Sequence, residues 1–124
     1  MTVDNFAELI KYVCSTKHIE YTDMKTRFAN FPICLMEYIE KDVYEKVVEI
    51  RFDDYKSTLS ATFDKKDICD YIVLFPDQIE NIDQLFLYLS ENYDYDFLKG
   101  SWILSNCYMN IKEDKEGIIF IFRY

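Results

Sequence analysis

Hydrophobic residues near the start of the chain recur at helical spacing. Four of them fall at positions i, i+3, i+4 and i+7: Phe6, Leu9, Ile10 and Val13. This spacing places them on one face of a helix. We therefore predict an amphipathic helix over residues ~4–16, with Thr2, Asp4 and Asn5 as candidate caps.

Two later segments also favour helix. The apolar stripe of a second amphipathic helix, predicted over residues ~82–93, consists of Ile82, Leu85, Phe86, Leu89 and Tyr93. Asn81 is its candidate cap, with Gln84 three residues further on. Residues ~23–30 predict a short helix or a turn that ends before Pro32.

The segment KVVEIRFDDYKSTLSATF, residues 46–63, alternates in the manner of a β-hairpin. Its alternating hydrophobic positions are Val48, Ile50, Phe52, Leu59, Ala61 and Phe63. Asp53 and Asp54 lie at the predicted turn, where aspartate is common. The preceding run ICLMEYI, residues 33–39, is ambiguous between strand and helix.

Three further apolar runs predict strands. YIVLF, residues 71–75, is typical of a short buried strand. SWILSNCYMNI and IIFIFRY flank KEDKEG, so we predict a β-hairpin from Ser101 to Tyr124. IIFIFRY is apolar on both faces, which predicts a place inside the sheet rather than at an edge.

These elements together predict an α+β fold. We expect a mainly antiparallel sheet with two or three helices packed on one face. The chain has 124 residues and is 50% hydrophobic and 30% charged, as in globular proteins. The prediction is a single domain over residues 1–124 with one sizeable core.

The N-terminal segment and the cysteines lead us to expect a cytoplasmic protein. The N-terminal segment lacks a basic start and a continuous apolar run, because Asp4 and Glu8 interrupt it. The four cysteines are scattered without a C-x-x-C motif: Cys14, Cys34, Cys69 and Cys107. We predict that all four are reduced, and we expect neither a disulfide nor a zinc site.

The net charge of −9 is concentrated in one segment. Residues 67–98 contain eight acids and no Lys, Arg or His, whereas 15 acids nearly balance 14 bases elsewhere. Such a segment is either a solvated surface that keeps the protein soluble or a negative face for a basic partner. It argues against direct binding to nucleic acid and to anionic membranes, because both would be repelled.

The sequence carries no catalytic signature. Cys14 and the single histidine, His18, are four residues apart and can share a helix face, which allows a nucleophile–base pair in principle. The simpler interpretation is that Cys14 is buried and His18 lies beyond the helix. The two glycines, Gly100 and Gly117, exclude a P-loop and a dinucleotide fingerprint. We therefore expect no enzyme activity, no cofactor and no small-molecule substrate.

Aromatic residues offer a different kind of site. The chain has 10 Phe, most of which we assign to the core, and 11 Tyr, some of which must reach the surface. The stretch ENYDYD, residues 91–96, is either a helix end running into a turn or an exposed surface of tyrosines and acids. On the second interpretation, the candidate partner-binding residues are Asp77, Glu80, Asp83, Glu91, Tyr93, Asp94, Tyr95 and Asp96.

In size, charge and aromatic content the chain resembles bacterial immunity proteins of contact-dependent growth inhibition and related toxin–immunity systems. The resemblance is general and rests on no motif, so no functional residue is carried over from that family. It implies a tight stoichiometric inhibitor of a basic protein toxin, above all a nuclease. Such an inhibitor would occlude the active or substrate-binding face of the toxin.

Two other classes of protein fit the same composition. One is a phage-encoded inhibitor of a host defence nuclease, such as an anti-CRISPR or antirestriction protein that presents acids in place of phosphates. That class usually needs a longer and denser acidic array than this chain has. The other is a small enzyme that uses Cys14 or a pair of carboxylates.

Overall fold

The computed structural model describes residues 2–40, 43–79, 82–115 and 117–124. Within these ranges the chain forms three α-helices and eight β-strands. The helices are α1 (Val3–Ser15), α2 (Tyr21–Arg27) and α3 (Ile82–Asn92). The strands are β1 (Ile33–Glu40), β2 (Val43–Phe52), β3 (Ser57–Phe63), β4 (Cys69–Pro76), β5 (Asp94–Asp96), β6 (Ser101–Ile103), β7 (Tyr108–Asp114) and β8 (Gly117–Arg123).

All eight strands lie in one antiparallel sheet with the order β1-β2-β3-β4-β8-β7-β6-β5. The sheet therefore consists of two four-stranded meanders, β1–β4 and β5–β8. Each meander directly follows a helix, and the last strands of the two meanders pair with each other. In that junction Leu74 lies opposite Phe120 and Val73 lies opposite Ile121. The predicted α+β class with a mainly antiparallel sheet is confirmed.

The helices cover one face of the sheet, as predicted. The Phe6 ring of α1 contacts Phe120 of β8, with 4.9 Å between ring centroids. The Tyr12 ring, also on α1, stacks on Phe52 of β2 at 5.3 Å. Tyr21 of α2 contacts Phe63 of β3 at 5.3 Å. A single hydrophobic cluster therefore joins residues of both meanders.

The helix predictions are largely confirmed. The four predicted core positions of α1 are buried, and the hydroxyl of Thr2 caps the helix by accepting the Asn5 backbone N–H at 3.2 Å. The second helix, α2, begins at Tyr21, slightly earlier than predicted. Leu85 and Leu89 of α3 are buried in the core. The proposed cap of α3, Asn81, lies outside the described residues.

The ambiguous residues 33–39 form an edge strand. Two strand predictions needed correction. Residues 101–111 form two strands, β6 and β7, rather than one. The run at 71–75 is only half buried, because Tyr71 and Phe75 point to the face of the sheet opposite the helices. The predicted hairpin at 46–63 and the interior position of β8 are both confirmed.

Candidate protein-binding site

A concave groove of about 950 Å³ lies between α3 and the helix-covered face of the second meander. One wall is the outward stripe of α3, formed by Ile82, Phe86 and Ser90. The opposite wall includes Trp102 of β6 and Ile118 of β8. The groove exists because α3 directs Leu85 and Leu89 into the core and leaves its neighbouring apolar stripe half exposed.

Aromatic rings form the end of this groove nearest to β5. The Tyr95 ring contacts Trp102 at 4.9 Å and Phe97 at 5.0 Å between centroids, in both cases edge to face. Edge-to-face contacts of this kind hold rings in defined positions. Tyr95 was predicted as an exposed candidate, and it is exposed.

Tyr93 has a structural position at the same end of the groove. Its ring contacts Tyr88 of α3 at 6.2 Å, and the side chain is half buried. Burial, helped by a hydrogen bond with Tyr88, raises the pKa of Tyr93 to about 12. Tyr93 is therefore neutral at physiological pH and supports the groove wall.

The turn between β5 and β6 presents two apolar side chains to solvent. Phe97 is 88% exposed and Leu98 is 100% exposed. Large apolar residues that are this exposed and adjacent are typical of surfaces that bind other molecules. Neither residue is predicted as a binding residue from the sequence, because most Phe are expected in the core. The available signal was their position between an aspartate and the Lys99-Gly100 pair, a sequence typical of a turn.

This turn has a fixed conformation. Asp96 Oδ1 accepts the backbone N–H groups of Leu98 and Lys99 at 3.0 and 3.1 Å. Gly100 has a φ of +62°, a left-handed conformation that suits glycine. The Lys99 ammonium lies 3.9 Å from the centroid of the Tyr108 ring, on the face of the sheet away from the groove. The side chain of Ser101 hydrogen-bonds to Asn110 and secures the base of the turn.

Two carboxylates border the groove, since Asp94 and Glu113 line it. Asp83 and Glu91 are exposed on the stripe of α3 that also carries Leu87, and they do not line the groove. Within the described ranges, none of these four makes an ion pair. Glu80, also predicted as a partner-binding residue, lies outside the described residues. The site therefore combines an apolar centre with an acidic border.

Two other acids of residues 67–98 are already paired with bases. Asp77 forms a bidentate ion pair with Arg51 of β2, with N–O distances of 2.8 and 2.5 Å. The hydrogen bond with Arg51 lowers the pKa of Asp77. Asp67 forms an ion pair with Lys46 at 3.2 Å. The structure thus places Asp77 apart from the groove, and the accessible acidic surface is smaller than the sequence indicates.

Cys14 and His18 point to different neighbours. The Cys14 sulfur is hydrogen-bonded by Cys107 and by the Ser105 hydroxyl, the latter at 3.7 Å. His18 packs its ring against Tyr124 at 5.8 Å and has a positive φ of 56° just beyond α1. Cys14 is half buried rather than fully buried. The structure gives no support to a nucleophile–base pair between Cys14 and His18.

Among the described residues, no group of three or more His, Cys, Asp or Glu side chains is placed to hold a metal ion. No helix in the described ranges is both long enough and apolar enough to cross a membrane. The chain matches no protein-family model, no curated protein and no solved structure.

Proposed function

We propose that this chain is a cytoplasmic inhibitor of the immunity type. It binds a basic protein toxin, above all a nuclease, and occludes the active or substrate-binding face of that toxin. It acts by binding alone, without catalysis. One observation supports this proposal above all. The hydrogen-bonded turn exposes Phe97 and Leu98 to solvent, and it lies beside an apolar groove with an acidic border.

The turn has the properties of a binding hot spot. Burying one large apolar side chain at an interface contributes roughly 1.5–3 kcal/mol. Phe97 and Leu98 offer that contribution in full, because solvent surrounds both in the free protein. The hydrogen bonds of Asp96 fix the backbone before a partner arrives, which lowers the entropy cost of ordering the turn.

The acids around the groove supply attraction and selectivity. A nuclease carries Lys and Arg side chains where its substrate phosphates bind. Asp94 and Glu113, which line the groove, offer carboxylates to such groups. Charges at the border of an interface speed encounter and select against wrong partners, while a buried apolar centre sets the dissociation rate.

The same geometry favours this proposal over an acidic mimic of nucleic acid. A mimic needs an array of free carboxylates that imitates a phosphate backbone. Asp67 and Asp77 are neutralised by bases of the same chain, and Asp96 uses a carboxylate oxygen to hold the turn. The remaining acids surround an apolar centre, which phosphate mimicry does not require.

Co-expression with neighbouring genes tests the proposal. Each open reading frame adjacent to the gene is induced in a bacterial host, with and without this chain. We expect one frame to arrest growth and this chain to restore it by forming a stable complex. The double variant of Phe97→Ala and Leu98→Ala should fail to restore growth, whereas Leu87→Ala, an exposed residue of α3 outside the groove, should succeed.

One outcome would contradict the inhibitor function, and another would contradict the location of its binding surface. In the first, no adjacent frame is toxic, or growth arrest persists although this chain is present and folded. In the second, the double variant protects as well as the unaltered chain. The second outcome would move the binding surface away from the turn and leave the inhibitor function intact.

A further inference from the structure

The loop between β6 and β7 lies against the end of α1. The Asn106 side-chain amide donates to the Cys14 carbonyl oxygen at 2.9 Å. Within the loop, the backbone N–H of Leu104 donates to the Cys107 carbonyl oxygen at 2.9 Å. These two contacts bring together two cysteines from opposite ends of the chain.

The loop places Ser105 and Cys107 beside the Cys14 side chain. The Ser105 hydroxyl donates to the Cys14 sulfur at 3.7 Å, and Cys107, two residues further along the loop, interacts with the same sulfur through its thiol. Cys14 is half buried and so accessible to small oxidants, whereas Cys107 is only 3% exposed. The pair is therefore asymmetric, with an accessible sulfur that accepts hydrogen bonds and a buried thiol that donates one.

We propose that Cys14 and Cys107 form a site of oxidative modification that peroxide closes into a disulfide. This inference is independent of the proposed binding function, because it concerns a different part of the molecule. Cys14 is the attacking sulfur and Cys107 is the resolving thiol. The resulting bond would link the end of α1 to the loop between β6 and β7.

The reaction balances with hydrogen peroxide as the oxidant. The Cys14 thiolate attacks one peroxide oxygen, the O–O bond breaks, and the hydroxide released takes up a proton to become water. Cys14 is then a sulfenic acid. The Cys107 sulfur attacks the Cys14 sulfur, its thiol proton goes to the departing hydroxide, and a second water leaves. Two thiols lose two electrons, and one peroxide gains them.

The electrostatic environment assigns the roles in the same way. The hydrogen bond from Cys107 lowers the pKa of Cys14 to about 6, with a smaller contribution from Ser105 and against the effect of burial. The hydrogen bond to Cys14 raises the pKa of Cys107. Cys14 is thus a thiolate at neutral pH while Cys107 keeps its proton. Thiolates are the reactive form of cysteine.

The other ionisable groups near the pair leave this assignment unchanged. Tyr93 and Tyr124 both face it, and burial raises the pKa of each phenol, so both are neutral at pH 7. Lys17 is the nearby positive charge and lowers the pKa of Cys107 slightly. It does not reverse the order of the two thiols.

The test treats the full-length reduced protein with increasing hydrogen peroxide. Free thiols are then blocked with N-ethylmaleimide, and intact mass and peptide maps are recorded. We expect a species that carries two maleimide groups fewer than the blocked reduced protein, and in which the Cys14 and Cys107 peptides are joined, to appear before any change at Cys34 or Cys69. In Cys107→Ser, dimedone should trap a sulfenic acid at Cys14. In Cys14→Ser, neither product should form at that site.

A second measurement needs no substitution. In the unaltered protein, iodoacetamide should label Cys14 at pH 7 several times faster than Cys34, although Cys34 is the more exposed of the two. The Cys14 rate should already be near its plateau at that pH. The proposal is overturned if Cys34 is oxidised first, or if Cys14 reacts no faster than Cys34.

Discussion

The Asp96 carboxylate accepts the backbone N–H of Leu98 at 3.0 Å, and this contact makes Asp96 part of the turn that it precedes. The same oxygen accepts the N–H of Lys99 at 3.1 Å. The sequence suggested that Asp96 is a charge offered to a partner. Its hydrogen bonds instead assign it the role of holding Phe97 and Leu98 in position.

A pair of substitutions at Asp96 separates these two roles. Asp96→Asn keeps the side-chain oxygen and removes the charge, so the turn should remain intact. Asp96→Ala removes the acceptor, which should loosen the turn and speed dissociation of the proposed partner about tenfold, or roughly 1.4 kcal/mol. Amide hydrogen exchange at Leu98 and Lys99 should accelerate in Asp96→Ala alone. Unchanged exchange there would show that other contacts hold the turn.

Phe97→Ala should weaken binding without weakening the fold. Because the side chain is almost fully exposed, its loss should change the free energy of unfolding by about 0.5 kcal/mol or less. If Phe97 is a hot spot, the dissociation rate should rise about 30-fold, or roughly 2 kcal/mol. Leu87→Ala, on another side of α3, is the matched control for binding kinetics and thermal melting. Equal effects of the two substitutions on dissociation would rule out Phe97 as an anchor.

Asp94 and Asp77 should respond differently to loss of charge. Asp94→Asn should slow association and reduce its dependence on salt, because Asp94 borders the groove without an ion pair among the described residues. Asp77→Asn should slow association less, since Asp77 does not line the groove and Arg51 remains paired with Asp53 at 3.0 Å. Stopped-flow association at several salt concentrations measures both. An equal decrease in the association rate of both variants would mean that the net charge of the protein, rather than the acids at the groove border, controls association with the partner.

The pH dependence of stability gives a separate check on Asp77. Arg51 lowers its pKa in the folded state, so the pair stabilises the protein above the unfolded pKa of about 3.9. That stabilisation is lost as the pH falls through the lower folded pKa. Urea unfolding should therefore show Asp77→Asn to be less stable than the unaltered chain at pH 6 and equal to it at the acid end. A difference that persists in strong acid would point to a cause other than titration of Asp77.

Phe6→Ala should destabilise the protein by about 3–5 kcal/mol, because it leaves a cavity beneath α1. Phe6 is fully buried and contacts Phe120 of β8 and Tyr88 of α3. Phe75→Ala is the control, since it removes the same ring from the half-exposed face of β4. Denaturant unfolding measures the free energy of unfolding of both variants. A similar small decrease in both would mean that the stability of the core does not depend on the contacts of Phe6.

The parts of the fold that sequence could predict are those in which one segment carries its own periodic signal. Phe6 to Val13 of α1 and the alternating residues of β2 and β3 are of this kind. β5 was not predicted, because three residues are too few to show alternation. The helix stripe at Ile82 and Phe86 was recognised, but its half-exposed state depends on how far the neighbouring strands extend.

The candidate site was predicted only in part for a related reason. Tyr95 and Asp94 were identified from local composition, and both border the groove. The opposite wall comes from Trp102 and Ile118, which reach the groove only through the pairing of β5 to β8. The ion pair between Asp77 and Arg51 likewise joins separate strands. Contacts between segments that are distant in sequence produce no periodic pattern of residues, so a single sequence does not reveal them.

The junction between the two meanders bears on the speed of folding. Every other strand pair of the described sheet joins neighbours in sequence, so each meander can form by local hairpin closure. The pairing of β4 with β8 instead joins the middle of the chain to its end, across α3 and three strands. Closing so long a loop lowers the conformational entropy of the chain before the stabilising contacts between the two strands have formed. Docking of β8 onto β4 is therefore the step expected to limit the folding rate, with Leu74 and Phe120 meeting in the transition state.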